Sequence, residues 1–185
     1  MDALENLLSR NSPRELSKPI PSKEQMDTVY TAALRAPDHA WLRPSRFIEV
    51  TGKGLDRLSK LFVDFATENI SEVTPEQLEK YQSAPYRAPM VIVLITKITE
   101  HPKVPEVEQL LSTATAAQNI LLALHAQNFA GIWRTGQLAL NQEIIKYFSL
   151  SSEYRVIGYL YVGTPSGTMK QIPQLELNKF VTRWD

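Results

Sequence analysis

Residues 90–96 read MVIVLIT, an unbroken apolar run that directly follows Ala88-Pro89. A short run of this kind, rich in β-branched residues and without alternating polar positions, is typical of a strand that is buried on both faces. Such a strand needs a layer of structure on each side of its sheet. We therefore predict that residues 90–96 form a central strand with helices on both faces.

The stretches around this run alternate between helical and extended patterns. Helices are predicted where apolar residues recur at helical spacing or a capping box opens the stretch: 2–10, 22–35, 55–68, from 74 onward, and 106–128. Two further β-rich stretches, 47–51 and 155–163, are predicted as strands, and 163–167 as the turn that ends the second. Because a regular strand-helix-strand rhythm is missing, we predict an α+β fold, a three-layer sandwich with a central mixed sheet flanked by helices.

The composition limits the classes of protein to which the chain can belong. Its 185 residues suit a single domain spanning 1–185. Its 20 Lys and Arg balance 20 Asp and Glu, so no field of one sign attracts nucleic acid or an anionic membrane. The first residues lack the basic and apolar regions of a signal peptide, and no apolar run approaches membrane-spanning length. We therefore expect a cytoplasmic protein that binds neither nucleic acid nor membrane.

Several residue patterns that would carry chemistry are missing. The chain has no cysteine, and its three histidines are far apart, without a His-Glu-x-x-His pair for zinc. It contains no Gly-x-Ser-x-Gly elbow and no phosphate loop. Gly52-Lys53-Gly54 is no dinucleotide fingerprint, because Arg57 stands where that motif needs its third glycine. We predict no metal site and no catalytic side chain, so an enzyme of this composition would depend on a bound cofactor.

Residues 131–136 read GIWRTG and place Arg134 in a short apolar segment bounded by glycines. A buried guanidinium needs a planar or anionic partner, because leaving it unpaired is costly. The sequence leaves open whether a carboxylate of the protein or a ligand is that partner.

Two further groups of polar residues follow predicted helices. Arg10 and Ser12 could offer a guanidinium and a hydroxyl to one phosphate group, or they could be a solvated arginine beside a turn serine. Arg35 lies close in sequence to Asp38 and His39, which could equally be a salt bridge at a helix end and a loop histidine. Both groups remain candidates for ligand binding.

Several segments together resemble the nitroreductase family in their order and spacing. They are SRNS at 9–12, RAPDH at 35–39, APYRAP at 84–89, GIWRTG at 131–136 and GYLYVGTP at 158–165. The resemblance covers nearly the whole chain, from residue 1 to residue 182, and is strongest with the short, single-domain NAD(P)H nitroreductases of the family. Each segment alone is a weak signal, but their order and spacing are specific.

The resemblance implies a cofactor, FMN, held where two subunits meet. Arg10, Asn11 and Ser12 would bind its phosphate and ribityl chain. Arg35 and His39 would approach the same flavin from the other subunit. The wall beside the isoalloxazine ring would be formed by Gly131, Ile132, Trp133, Arg134 and Thr135.

The resemblance also implies an intertwined homodimer. The predicted helix 106–128 would be the central dimer helix, since its middle, residues 112–117, carries little bulk. The tail, about 170–185, is apolar and β-prone near its end and would dock on the partner subunit. Each flavin would then be touched by both chains.

The activity that the resemblance implies is that of an FMN-dependent NAD(P)H oxidoreductase. NAD(P)H would deliver hydride to flavin N5 and leave, after which a nitroaromatic, quinone or similar acceptor would enter the same cavity in a ping-pong sequence. A cation beside the N1 and C2 carbonyl edge would stabilise negative charge on the reduced ring, and Arg134 is the candidate. Neither the physiological acceptor nor the choice between NADH and NADPH follows from the residues.

The chain departs from the family pattern around two of these segments. Asn11 stands where many relatives carry a second arginine, and Trp41 where they carry Asn or Ser. Arg43-Pro44-Ser45 replaces Gln-Pro-Trp in the loop before the first predicted strand. These changes bear on flavin affinity and acceptor choice. The altered loop at 43–45 keeps one alternative open, a flavin-binding sensor or carrier homodimer without significant turnover. A separate alternative is a structural homodimer whose arginines pair only with its own carboxylates.

Overall fold

The computed structural model of the chain describes residues 1–168 and 170–184 and has a five-stranded sheet at its centre. The strands are β1 (Glu15–Ser17), β2 (Ser45–Thr51), β3 (Met90–Lys97), β4 (Ala130–Arg134) and β5 (Tyr154–Ser166). Hydrogen bonds connect them in the order β1-β5-β3-β2, and β4 pairs with β5 as well. The apolar run at 90–96 is therefore a central strand, as predicted.

Seven α-helices lie within the described residues. They are α1 (Ala3–Ser9), α2 (Lys23–Ala33), α3 (Lys53–Asn69), α4 (Pro75–Ser83), α5 (Glu106–Ala126), α6 (Gln137–Leu140) and α7 (Ile144–Tyr147). The capping boxes predicted at Ser22 and Thr74 are present, since each hydroxyl accepts a hydrogen bond from the backbone N–H three residues later. None of these helices, over the part of the chain that is described, has both the length and the apolar character needed to cross a membrane.

Two hydrophobic cores pack on opposite faces of the sheet. Side chains alternate along β3, so Val91, Val93 and Ile95 belong to the first core while Met90, Ile92 and Leu94 belong to the second. The first core is completed mainly by α3 and α7, and the second by α2 and α5. This arrangement confirms the predicted α+β sandwich of three layers.

The prediction of a mixed sheet is wrong for the single chain. Every strand pairing among the described residues is antiparallel. A single crossover helix brings a chain back parallel to the strand it left, whereas two successive helices return it in the opposite direction. Two helices connect β2 to β3 and two connect β4 to β5, so both steps reverse the chain.

The turn predicted at residues 163–167 is also wrong, because β5 continues to Ser166. Strand β1 was not predicted, because it is only three residues long; its Ser17 pairs with Thr164 and its Glu15 with Ser166. This pairing extends β5 beyond the end of its contact with β3. Proline is tolerated here because Pro165 lies close to the end of the strand.

The C-terminal tail, from Lys170 to Trp184, is exposed along its whole described length. It contains one 3-10 turn, Leu177–Lys179, and apolar side chains that face solvent, with Phe180 70% and Trp184 96% exposed. One hydrogen bond ties its start to the body, from Asn11 Nδ2 to the Lys170 carbonyl at 2.6 Å. The tail thus presents apolar surface that its own chain leaves uncovered.

Candidate functional site

The exit of α1 places the first group of predicted residues together. Arg10 is the C-cap of the helix, and its Nη1 donates a hydrogen bond to Ser12 Oγ at 3.2 Å. The Ser12 N–H donates to Asn11 Oδ1 at 2.8 Å, which fixes the turn between them. Within residues 1–168 and 170–184 the Arg10 guanidinium forms no ion pair. A guanidinium and a hydroxyl therefore lie side by side with no carboxylate to neutralise them.

Two contacts hold α1 against α5 and so determine where this pair lies. Asn6 Nδ2 donates to the Leu122 carbonyl at 3.1 Å, and Ser9 Oγ lies 2.9 Å from His125 Nε2. Because Ser9 also donates its proton to the Glu5 carbonyl at 2.6 Å, the His125 ring is the donor in their contact. Burial, and then the charge of Arg10, lower the pKa of His125, which favours the neutral ring, here in the tautomer that carries its proton on Nε2.

The second group lies at the other end of α5. His39 Nδ1 is 2.6 Å from Glu108 Oε2, near the start of that helix. Asp38 accepts a hydrogen bond from the backbone N–H of Arg43 at 2.8 Å and lies 3.7 Å from its guanidinium. Asp38 thus pairs with Arg43, and no ion pair of Arg35 occurs in the described part of the chain.

The loop between these residues has an unusual backbone. Ala40, Trp41 and Arg43 have φ angles of 58°, 57° and 52°, a left-handed conformation that residues with a Cβ adopt at an energetic cost. The loop displays the Trp41 side chain, which is 78% exposed, with Arg43 Cζ 5.1 Å from the ring centroid. Sequence reasoning missed this conformation, because no glycine or asparagine marks these positions.

The hexapeptide GIWRTG contains most of β4, a strand that sequence reasoning did not predict. Packing favours glycine at position 131, since a Cβ there would come within 2.7 Å of Leu121 Cδ2. Trp133 packs in the second core, and its Nε1 donates to the Ile157 carbonyl at 3.3 Å. Ile132 packs on the opposite face, against the first core. Two of the five residues predicted to line a flavin, Ile132 and Trp133, therefore have side chains that pack in the cores, and a third, Gly131, leaves room for Leu121.

Arg134 differs from its neighbours in β4. Its Cζ lies 5.6 Å from the ring centroid of Tyr161, a cation-π contact, and it forms no ion pair within the residues described. Its Nε is buried and has no hydrogen-bond partner among them. The structure thus pairs Arg134 with an aromatic ring and not with a carboxylate. Thr135 follows at the end of the strand and is exposed.

A single chain does not bring all the predicted residues together. Arg10 and Ser12 lie beside the His125 end of α5, whereas His39 contacts Glu108 at the other end. The two ends are about 25 Å apart along the axis at about 1.5 Å per residue. His39 could therefore reach a ligand at Arg10 only from a second chain, and no hydrogen bond or ion pair among the described residues joins Arg35 to Arg10.

The comparisons with known proteins agree on one family. A model of the nitroreductase family matches residues 7–164. The Escherichia coli (strain K12) protein described as "Putative NAD(P)H nitroreductase YdjA" is 36% identical over 165 residues, or 89% of each chain. A nitroreductase-like family protein from Bacillus cereus superposes with a TM-score of 0.83 at 18% identity, over 100% of this chain and 96% of that one. A nitroreductase with bound FMN from Bacteroides fragilis gives 0.78 at 17% identity, over 100% of both chains.

Proposed function

Because this chain belongs to the nitroreductase family, we propose that it is an FMN-dependent NAD(P)H oxidoreductase that reduces a nitroaromatic, quinone or similar acceptor. The observation that carries the proposal is the Arg10–Ser12 pair, a guanidinium and a hydroxyl joined at 3.2 Å without a carboxylate partner in the described residues. The description of the Escherichia coli relative and the FMN in the Bacteroides fragilis structure support it. When bound, FMN supplies the hydride-transfer chemistry that the protein's side chains lack.

The phosphate end of FMN fits the exit of α1. An arginine fork beside a hydroxyl matches the oxygens of one phosphate group through charge-assisted hydrogen bonds. Asn11 uses its side chain to order this turn, accepting from Ser12 N–H and donating to the Lys170 carbonyl. We assign phosphate binding to Arg10 and Ser12, and the shaping of the turn to Asn11.

The ring of FMN fits the open edge of β4. This strand pairs only with β5 among the described residues, so the backbone N–H and C=O groups along its other edge need partners. The pyrimidine edge of a flavin offers both donors and acceptors. Since the side chains of Ile132 and Trp133 pack in the two cores and Gly131 has none, we assign the ring contact mainly to the backbone from Gly131 to Thr135.

A homodimer would complete the site. Apolar side chains are exposed on α1, α5 and the tail: Leu4, Leu7, Leu8, Val107, Leu111, Leu175, Phe180 and Trp184. Apolar surface of this extent on neighbouring elements is typical of an interface. Two α5 helices packed antiparallel would bring the His39 end of one chain to the Arg10 end of the other. We propose that each flavin lies between these ends and that the tail docks on the partner subunit.

An anaerobic spectral titration of the purified protein with NADH and with NADPH tests the function. We expect a yellow protein whose flavin absorbance is bleached by at least one nicotinamide and returns when a nitroaromatic is added. A flavin spectrum that neither nicotinamide bleaches would favour the sensor or carrier. A colourless protein that takes up no added FMN would contradict both and favour the structural homodimer.

Substitution of the phosphate-binding pair tests the site. The double variant Arg10→Gln, Ser12→Ala should weaken FMN binding by about 10- to 100-fold, because it removes charge-assisted contacts worth roughly 1.5–3 kcal/mol. Fluorescence titration with FMN measures this change. The matched control is Arg57→Gln, which removes an exposed guanidinium on α3 and should leave FMN affinity unchanged.

Removal of residues 171–185 tests the dimer. This truncation keeps Lys170, whose carbonyl accepts the hydrogen bond from Asn11, so the α1 turn is preserved. Sedimentation velocity should show a shift from dimer toward monomer, together with weaker FMN binding. A truncated protein that stays dimeric with full FMN content would contradict the assigned role of the tail.

A further inference from the structure

A cavity of about 230 Å³ opens beside Arg134, between β5, α6 and the end of α4. Its wall contains three cationic side chains, Lys80, Arg87 and Arg134. Aromatic rings complete the wall, among them Tyr81 and Tyr161. Asp and Glu are absent from the lining as far as the structure describes it. The cavity therefore combines apolar ring surface with an excess of positive charge.

The three cations are unpaired. In the described ranges 1–168 and 170–184, none of them forms an ion pair, although other cations do, such as Lys60 with Asp64 at 2.7 Å. The buried Nε of Arg134 also has no hydrogen-bond acceptor there. The face of the Tyr161 ring partly balances the positive charge of Arg134, but it accepts no conventional hydrogen bond from Nε. A buried donor without a hydrogen bond costs about 1–3 kcal/mol. The three positive charges around the cavity repel one another. An anion that enters the cavity is attracted by all three and offsets this repulsion.

A phenol is available as a further donor. Tyr161 is buried, and its hydroxyl donates to no other group in the part of the chain that is described, whereas Tyr159 OH is engaged with the Leu138 carbonyl at 2.6 Å. Burial raises the pKa of Tyr161 more than the charges of Arg87 and Arg134 lower it. The phenol is thus protonated at neutral pH and can donate a hydrogen bond to an anion in the cavity.

We propose that Lys80, Arg87 and Arg134 bind the carboxylate of an aromatic electron acceptor, so that the protein prefers anionic acceptors to neutral ones of the same shape. The proposal rests on the proposed function, since Arg134 and Thr135 belong both to this cavity and to the proposed flavin wall. A volume of about 230 Å³ is smaller than the roughly 300–1,000 Å³ of usual ligand pockets, which suits a carboxylate with part of its ring and not a whole dinucleotide.

Two acceptors that differ only in charge test the proposal, 4-nitrobenzoate and 4-nitrobenzamide. In each turnover NAD(P)H gives up a hydride, and with one proton from solvent this converts the nitro group to nitroso and water. We expect the wild-type protein to have the lower KM for 4-nitrobenzoate. Arg87→Gln should raise that KM about tenfold, the effect of losing one charge-assisted hydrogen bond, while the KM for the amide changes less than twofold.

Further variants separate charge from structure. Lys80→Gln should act in the same direction, and Arg87→Lys should restore part of the preference because it keeps the charge. Arg57→Gln removes an exposed charge outside the cavity and should leave both KM values unchanged. If Arg87→Gln changed the KM for both acceptors by the same factor, the proposal would be overturned. So would a raised KM for NADPH but not for NADH, because the anion would then be the phosphate of the donor.

A binding measurement without turnover keeps this proposal apart from the proposed function. Calorimetric titration of the protein as purified with benzoate, without nicotinamide, should show binding that is about tenfold weaker in Arg87→Gln. If this holds while the protein reduces no acceptor, the binding site stands and the proposed function fails. If acceptors are reduced but benzoate binds equally to wild type and variant, the proposed function stands and the anion site is refuted.

Discussion

Strands β3 and β4 belong to the same sheet but depend on their surroundings in different ways. β3 pairs with β2 and β5, and its residues from Met90 to Thr96 are buried between two cores. Among the described residues, β4 pairs with β5 only, and it is half-buried from residue 132 onward. In β3, Thr96 Oγ1 is the one buried side-chain polar atom without a hydrogen-bond partner among the described residues, and packing accounts for every apolar side chain. In β4 it accounts for Gly131, Ile132 and Trp133 but leaves Arg134 with a buried, unsatisfied nitrogen.

The difference indicates that packing explains the residues of β3, whereas it does not explain why β4 contains Arg134. A central strand has neighbours on all sides, so its residues are determined by the sheet and the two cores. An edge strand has one side free, so its residues can serve a ligand. Substitutions in and around the two strands measure how far this distinction holds.

The largest effect is expected in β3, for Ile92→Ala. Ile92 is completely buried in the second core, so the substitution should lower the free energy of unfolding by about 3–4 kcal/mol, through lost burial and the cavity left behind. Urea unfolding measures the change. The matched control is Ile132→Ala in β4, a half-buried position where about 1–2 kcal/mol is expected. Equal losses at the two positions would show that the edge strand is packed as tightly as the centre.

The next largest loss of stability is expected for Gly158→Ala, which disturbs the contact between β4 and β5. Gly158 has a φ of 150°, and a Cβ there would come within 2.0 Å of Trp133 Nε1. The indole would have to move and lose its hydrogen bond to Ile157, which should cost about 2–3 kcal/mol of unfolding free energy. Urea unfolding, with tryptophan emission as the probe, reports both the cost and the displaced indole.

A second substitution identifies the cause of that cost. Trp133→Leu removes the ring that the new methyl group would strike. Once Trp133 is leucine, Gly158→Ala should cost at least 1 kcal/mol less, since residues in direct contact are not additive. Additive effects in this double-mutant cycle would mean that the penalty comes from the backbone, through strain at Gly158 or the 3.0 Å approach of its Cβ to the Arg134 carbonyl, and not from the indole.

The same contrast explains what the sequence could predict about the fold. β3 and the helices that begin at Ser22 and Thr74 were predictable, because their signals lie within a few neighbouring residues. β1 and β4 were not, since strands of three and five residues carry too little alternation and depend on β5 for their pairing. The direction of the strands was also out of reach, because it depends on how the intervening helices return the chain.

For the candidate site, the sequence could indicate which residues are candidates, but not which groups surround them in the fold. The sequence singled out Arg134 as an arginine in need of a partner and left the partner open; in the structure no carboxylate of the described residues forms an ion pair with it. No local pattern indicated that Leu121 packs against Gly131, or that Trp41 has a left-handed backbone conformation. Such features arise from contacts between segments that are distant in sequence, so a pattern of neighbouring residues does not predict them.

A smaller effect is expected for Gly131→Ala. The added Cβ would come within 2.7 Å of Leu121 Cδ2, but this atom is the end of a flexible side chain and can move. We expect a loss of about 1–2 kcal/mol in unfolding free energy, measured on flavin-free protein by urea. Leu121→Ala combined with Gly131→Ala should recover part of the cost of the glycine substitution. If only FMN affinity fell and stability did not, the glycine would serve the ligand and not the packing of α5.

Arg134→Met should have the smallest effect on stability of the four. Methionine keeps the apolar stem in place, and the loss of a cation-π contact worth about 0.5–1 kcal/mol is offset by removing the unsatisfied Nε. We expect the unfolding free energy of flavin-free protein to change by less than about 1 kcal/mol, while flavin reduction by NAD(P)H becomes slower in stopped-flow measurements. A stability loss of about 2 kcal/mol or more, with reduction unaffected, would place Arg134 among the packing residues and remove the distinction between β4 and β3.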